Sequence, residues 1–311
     1  MAALHQINGV LLLDKPKGLS SNHALQEVRR LFGKAKGGYA GTLDPLASGL
    51  LPISMGEATK FINYFSDASK SYDAIIKLGF SSTTGDAEGK LSETEVTFFD
   101  ARDLEHATHK FKGCIEQLPP MYSAIKVEGE PLYKLAREGK VVPRKKRSII
   151  IESLRLEKMD DNTVGLSVSC SKGTYIRVLA EDIARCLGTA GYLTYLRRTD
   201  LAGISVKEAL SLEQIEDVSL DLRYKLLKKI DFSLNHLPQL SLTMDEEQKF
   251  VNGMTLSAVT QTCNPGNTVV HTHDGIFAGL AFVDDFGELK PKRLMSQEYV
   301  VNLRRLKSLT N

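Results

Sequence analysis

A chain of 311 residues, 42% of them hydrophobic and 25% charged, is long enough for a large core and two domains, and its composition is that of an ordinary globular protein. A net charge of +2 excludes a chain that holds nucleic acid by bulk charge, so any RNA contact must come from local basic patches. No stretch approaches the ~18–20 apolar residues of a membrane span. The short apolar run Gly9–Leu13 lacks the basic start, long apolar middle and cleavage site of a signal peptide, so a cytoplasmic location is expected. Cys114, Cys170, Cys186 and Cys263 form no CxxC pair and read as reduced, mostly buried thiols. His271 and His273 lie two apart in a strand-like run and read as structural; no metal site is expected.

In chain order, Val10–Asp14 reads as a buried strand, followed by the turn Lys15-Pro16-Lys17-Gly18. Ser20, Ser21 and Asn22 are helix-capping candidates for a helix that buries Ala24, Leu25, Val28, Leu31 and Phe32 and stops at Gly33. The Gly- and Pro-rich stretch 37–52 reads as a shaped loop. A helix over Glu57–Phe65 precedes a strand in which Tyr72, Ala74, Ile76 and Leu78 share one face. Val164, Leu166, Val168 and Cys170 mark another strand, and Ile176, Leu179, Ala180, Ile183, Ala184 and Leu187 a helix ended by Gly188. A charged helical stretch, Glu213–Lys229, leads to a β-rich region from about residue 237, with runs at Thr268–His271 and Phe277–Val283. Helices and strands mix without a βαβ rhythm, so the fold class expected is α+β, with a mixed sheet in the main domain, 1–236, and a small β-rich domain, 237–311.

One acid stands in the neutral loop Gly41-Thr42-Leu43-Asp44-Pro45-Leu46-Ala47-Ser48-Gly49-Leu50-Leu51-Pro52. Pro45 disfavours helical torsions at Asp44, so the carboxylate projects from stiff backbone, and Leu43, Leu46, Leu50 and Leu51 could wall it. By its residues alone the loop has two readings. It can hold a turn aspartate capping the next segment, the commoner use of Asp-Pro, or a partly desolvated catalytic carboxylate.

This loop resembles the catalytic loop of the bacterial tRNA pseudouridine-55 synthases, the TruB family. Further blocks match the family in order and spacing: Gly9–Pro16 with Gly18 and Ser20-Ser21, Gly56–Phe61, Lys70-Ser71-Tyr72, Pro120–Lys126, Cys170–Arg177 and Leu196-Arg197-Arg198. The resemblance implies that Asp44 is the essential carboxylate, Tyr72 stacks on a flipped uridine and brings a phenol to the reacting carbon, and Arg177 pairs with Asp44. Tyr175 and Leu196 would line the pocket, with Lys15 and Pro16 bracing its floor. The family commonly has a histidine where Tyr39 stands here, so Tyr39 could stack on RNA but offers no imidazole. The implied reaction isomerises the uridine at position 55 in the T-loop of tRNA after base flipping, and as an isomerisation it calls for no cofactor.

Residues 126–147 carry eight Lys or Arg against three Glu. The segment resembles the family's insertion that closes over the T-arm, with Lys126, Arg144, Lys145, Lys146 and Arg147 as RNA contacts. The C-terminal region resembles a PUA domain, where Lys292 and Arg293 could grip RNA, among other basic residues. The implied partner is tRNA; no membrane or protein partner is called for, and a monomer is expected. Rival readings are a non-catalytic RNA-binding or tRNA-folding factor, a synthase for another RNA, and a nucleotide-binding enzyme built on Gly33–Gly38. The last of these lacks the GK[ST] ending of a phosphate-binding loop.

Overall fold

The computed structural model describes residues 7–66, 68–96, 98–235, 237–257 and 264–310. Its main sheet runs in the order Gly9–Lys15, Ser48–Met55, Gly191–Leu201, Lys70–Leu78, Thr163–Cys170, Arg147–Asp160 and Gly113–Gln117, with Gly37–Tyr39 flanking Ser48–Met55 and Ile204–Ser205 flanking Gly191–Leu201. Pairing is antiparallel except between Ser48–Met55 and Gly191–Leu201, where Arg197 and Arg198 lie opposite Ser48 and Gly49. Strand Gly9–Lys15 is buried on both faces, which is why its sequence is a continuous apolar run rather than an alternation. Leu11 and Leu13 join the core under helices Ser21–Leu31 and Ile176–Cys186, while Val10 and Leu12 join a second core on the opposite side.

The stretch 37–52 departs from the loop expected there. Gly37–Tyr39 and Ser48–Met55 are strands, and the loop proper is only 40–47. Backbone approach decides this: a Cβ at Gly49 would meet the Arg198 carbonyl oxygen at 2.2 Å, so glycine here serves strand contact rather than a turn. The expected helix at 57–65 is a 3-10 segment, Gly56–Phe61, continued by a short α-helix, Ile62–Ser66. The charged stretch Glu213–Lys229 is not one helix. It breaks into Leu212–Glu216 and a 3-10 turn at Arg223–Leu226. Arg223 donates to the carbonyls of Ile215, Val218, Glu216 and Leu31, and Lys228 bridges to Val10 in strand fashion, so tertiary partners take the backbone groups a helix would have used. The thiols also differ from expectation: Cys170 is buried, its thiol pushed up by burial to about 11, whereas Cys114 is exposed and Cys186 half-buried; Cys263 lies outside the described residues.

After residue 237 a four-stranded sheet forms from Gln239–Ser241, Gly266–His271, Phe277–Val283 and Leu289–Leu294, with its own core of Leu240, Leu242, Phe250, Val270, Ala281 and Leu289. Helices Met244–Val251 and Gln297–Thr310 accompany it. This sheet is tied to the main domain. Phe277 meets Phe61 edge-on at 5.1 Å, Ser296 donates its backbone N–H to Glu57 at 2.9 Å, and Lys60 donates to the Leu294 carbonyl at 3.2 Å. No helix among the described residues is long and apolar enough to cross a membrane. Phe61 is 1% exposed and sits in the shared core, so Phe61→Ala should cost about 3–5 kcal/mol in denaturant unfolding, with both halves loosening together; a loss under 1 kcal/mol would mean the interface contributes little.

Candidate active site

The loop carrying Asp44 is pinned from three sides. Ser20 caps helix Ser21–Leu31 by accepting from the His23 backbone, which frees Ser21 for another task. Its buried hydroxyl accepts from the Leu43 N–H and donates to the Leu43 carbonyl, both at 2.8 Å, one residue before the acid. On the far side of Asp44, the Pro45 carbonyl accepts from Gly18 at 2.7 Å. Arg198 donates to the carbonyls of Gly41 and Leu50 at 2.9 and 2.7 Å, fixing the start of the loop to the strand that follows it. With so many neighbours constrained, the Asp44 backbone has little freedom left to lose.

Asp44 opens into a cavity of about 260 Å³ lined also by Tyr72, Tyr122, Tyr175, Arg177, Leu196 and Leu43. Sequence reasoning brought Asp44, Tyr72, Tyr175, Arg177 and Leu196 to one place, and the structure assembles them there from four separate segments. Arg177 Nε lies 3.0 Å from Asp44 Oδ2. The guanidinium is itself held: Nη1 donates to the Thr84 carbonyl at 2.9 Å, Nη2 to the Tyr122 carbonyl at 2.8 Å, and Asp86 lies 3.8 Å away. Burial raises the Asp44 pKa above the ordinary carboxylate value, and the Arg177 charge opposes this without cancelling it. Its side chain keeps 38% exposure through the mouth of the cavity, the face a substrate would cover.

Lys15 is fully buried, and its amine donates to the carbonyls of Pro16 at 2.9 Å and Leu19 at 2.6 Å, which ties down the turn next to Pro45. Burial lowers its pKa to about 8, with Asp44 acting in the opposite direction. Pro16 itself is exposed and contributes its carbonyl rather than its ring. Tyr39 is not in the cavity; it packs half-buried against the main core from the strand Gly37–Tyr39. Of the four leucines expected as walls, only Leu43 lines the cavity, because strand formation from Ser48 turns Leu50 and Leu51 into the cores and Leu46 packs inward as well.

Several residues escaped sequence reasoning. Gln117 is 2% exposed, and its side-chain amide holds Tyr175 at both backbone groups, accepting from its N–H at 2.8 Å and donating to its carbonyl at 3.1 Å. Asp86 is buried behind Arg177 and accepts from Thr84 Oγ1 at 2.5 Å. Neither has a local signal, since each acts through a partner more than 50 residues away or through a turn. Arg198 stood inside a matched block, yet nothing in its neighbours announced a buried role.

The basic segment forms a small hairpin, Lys126–Val127 with Glu130–Pro131, then helix Leu132–Arg137. Lys126, Lys145, Lys146 and Arg147 are exposed. Arg144 instead donates to the Pro119 carbonyl at 2.9 Å, and Lys146 lies 3.7 Å from Glu116. Lys292 and Arg293 are exposed along an open cleft beside Lys60. His271 and His273 have carboxylate partners from distant sequence, Asp231 at 3.3 Å and Glu247 at 2.6 Å. Glu247, His273 and Asp274 are grouped closely enough to invite a metal, but Arg304 already bridges the two acids at 2.6 and 3.0 Å, supplying the cation itself.

The fold is one already seen in solved structures. Two solved structures share it across 95% of this chain and 88% of theirs: a Cbf5-Nop10-Gar1 complex, with TM-score 0.73 and 20% identity, and an H/ACA RNP bound to a substrate RNA containing 2'-deoxyuridine, with TM-score 0.72 and 18% identity. The family description "TruB family pseudouridylate synthase (N terminal domain)" matches residues 29–176. Curated relatives called tRNA pseudouridine synthase B are 44% identical in Aromatoleum aromaticum, over 93% of both chains, and 44% identical in Neisseria meningitidis serogroup B, over 93% of this chain and 95% of the relative. The chain belongs to the TruB family of pseudouridylate synthases.

Were Asp44 the working group in its carboxylate form, activity would be lost as it takes up a proton. Because its pKa is raised, the acid limb of a single-turnover pH profile should lie above the range of an exposed aspartate, and Arg177→Lys, with a weaker fork, should move the limb further up. A limb at or below the ordinary aspartate value would contradict this placement of the charge.

Proposed function

We propose that the protein isomerises the uridine at position 55 in the T-loop of tRNA to pseudouridine. The observation that carries this reading is one carboxylate, Asp44, bonded to Arg177 at the mouth of a small cavity walled by Tyr72, Tyr175 and Leu196. Pseudouridine formation breaks the N1–C1′ bond, turns the detached base and rejoins it through C5, with loss of the C5 proton and gain of one at N1. Substrate and product have the same atoms and oxidation state. Such a reaction needs a carboxylate aimed at the sugar or base and flat apolar walls that keep the free base from escaping. A uridine within a folded loop must leave its stack to reach this cavity, at a cost of roughly a few kcal/mol.

RNA would be held by the exposed cations of the 126–147 segment, chiefly Lys126, Lys145 and Arg147, because Arg144 is already engaged by Pro119. We read the C-terminal sheet as a PUA-like module whose Lys292 and Arg293 face a second stretch of the same tRNA. The domain division at 236/237, monomeric action and a cytoplasmic setting belong to the same reading.

Asp44→Asn preserves size and hydrogen-bonding shape but removes the charge. Incubated with an unmodified T-arm stem-loop, without added metal or nucleotide, the wild-type protein should make pseudouridine and this variant none, with RNA affinity within a few-fold of wild type. Turnover by the variant would remove Asp44 from the reaction; a wild-type protein that binds the RNA without converting it would favour a folding factor or another RNA target. Lys145→Ala combined with Arg147→Ala should weaken binding and flatten the slope of log affinity against log salt by about 2, one per lost phosphate contact. An unchanged slope would place the RNA elsewhere.

A further inference from the structure

Gln117 is 2% exposed and ends the strand Gly113–Gln117 at the edge of the main sheet, opposite Arg147. Its side-chain amide accepts from the Tyr175 N–H at 2.8 Å and donates to the Tyr175 carbonyl at 3.1 Å, across 58 residues of chain. A backbone N–H only donates and a carbonyl only accepts. A carboxamide completes both bonds, whereas a carboxylate of the same size would set oxygen against oxygen. Tyr175 needs these bonds from outside. It stands at φ −101° and ψ 107° just before helix Ile176–Cys186, and its own side chain makes no capping bond. Its carbonyl takes a helical N–H, from Leu179 at 3.1 Å, and keeps a second lone pair for Gln117. Its N–H lies ahead of the helix, where the helix itself offers no acceptor.

Tyr175 is half-buried and lines the cavity into which Asp44 opens. A half-buried residue is not locked by packing on every side, so its stance follows the backbone that carries it. Arg177, two residues further on, does not depend on Gln117 in this way, because the Thr84 and Tyr122 carbonyls hold its guanidinium separately. We propose that Gln117 is a positioning residue for uridine isomerisation, holding Tyr175 as a fixed wall against which the base turns. The inference rests on the reading of the Asp44 cavity as the uridine site. Between rupture of the N1–C1′ bond and closure of the C5–C1′ bond, no glycosidic bond keeps base and sugar in line, and the walls must do so. A misplacement of about 1 Å can slow such a step about a hundredfold.

A double-mutant cycle on the full-length protein tests this. The readout is single-turnover conversion of an unmodified T-arm stem-loop at saturating RNA, well below each variant's melting temperature. Gln117→Met keeps the length of the side chain and loses both bonds. Tyr175→Leu removes the ring and keeps the backbone. Each single variant should slow the reaction tenfold or more, with RNA affinity within twofold of wild type. Adding Gln117→Met to Tyr175→Leu should cost less than a further twofold, because the wall it positions is already gone. A glutamine with only a structural role would give losses that multiply, and that result would overturn the proposal. So would a loss of affinity in place of rate, or a slowing of less than tenfold in either single variant. If Gln117→Met does not fold, Gln117→Glu takes its place in the cycle with the same expectations. It keeps the acceptor for the Tyr175 N–H and sets an oxygen against the Tyr175 carbonyl. A wild-type protein that makes no pseudouridine in this RNA would sink the reading of the cavity, whereas wild-type turnover with an undiminished Gln117→Met rate would sink only this inference.

Discussion

For the proposed function the carboxylate must be charged to work on a sugar, and a pocket dry enough to retain a loose base opposes that charge. The structure meets both demands with one guanidinium. Arg177 approaches Asp44 at 3.0 Å and is itself immobilised by two carbonyls, so its orientation does not depend on the acid it serves. The balance stays on the side of burial, since the Asp44 pKa is raised and not lowered. A stronger counter-charge would hold the carboxylate ionised more firmly but would also lower its free energy, and with it its reactivity.

Much of the fold can be understood as scaffolding for that pair. The loop 40–47 has no regular structure, yet its backbone is held by Ser21, Gly18 and Arg198 from three distinct elements. Arg177 enters on the first turn of helix Ile176–Cys186, where the helix dipole does not favour a cation. Its carbonyl partners and the two acids, Asp44 and Asp86, supply the compensation. Gln117 fixes the residue just before that helix by bonding both backbone groups of Tyr175, in the manner of a neighbouring strand. On the proposed function, rigid placement of this kind would lower the entropic cost of bringing a flipped nucleotide to the acid.

Two buried arginines thus divide the work at the cavity. Arg177 faces a carboxylate, and Arg198 donates to two backbone carbonyls. The C-terminal sheet stands apart from this chemistry but is not loosely hung. It shares an aromatic core with the segment that follows the loop carrying Asp44, through Phe61 and Phe277, and the Glu57–Ser296 bond joins the same two regions. A basic cleft beside Lys60 and Arg293 therefore keeps a fixed relation to the main sheet.

The strands and helices with clean periodicity were legible from the chain alone. Tyr72 to Leu78, Val164 to Cys170 and the stripe from Ile176 to Leu187 each show one period over enough residues to name the element, because burial on a single face leaves a regular trace. Asp44, Tyr72, Arg177, Tyr175 and Leu196 were legible as a group only through their resemblance to a family; by spacing alone each had an ordinary structural reading. What tertiary structure alone decided are the contacts made across long sequence separations. The strand at Ser48–Met55 looked like a loop because its Gly49 serves close approach to Arg198. The stretch 213–229 looked helical because its carbonyl acceptors, claimed by Arg223, cannot be foreseen. Local propensity is a property of neighbours in the chain, whereas the partner of a buried polar group is chosen by the fold. Ser21, Asp86, Gln117 and Arg198 therefore acquired their roles only when the strands and helices around them had closed.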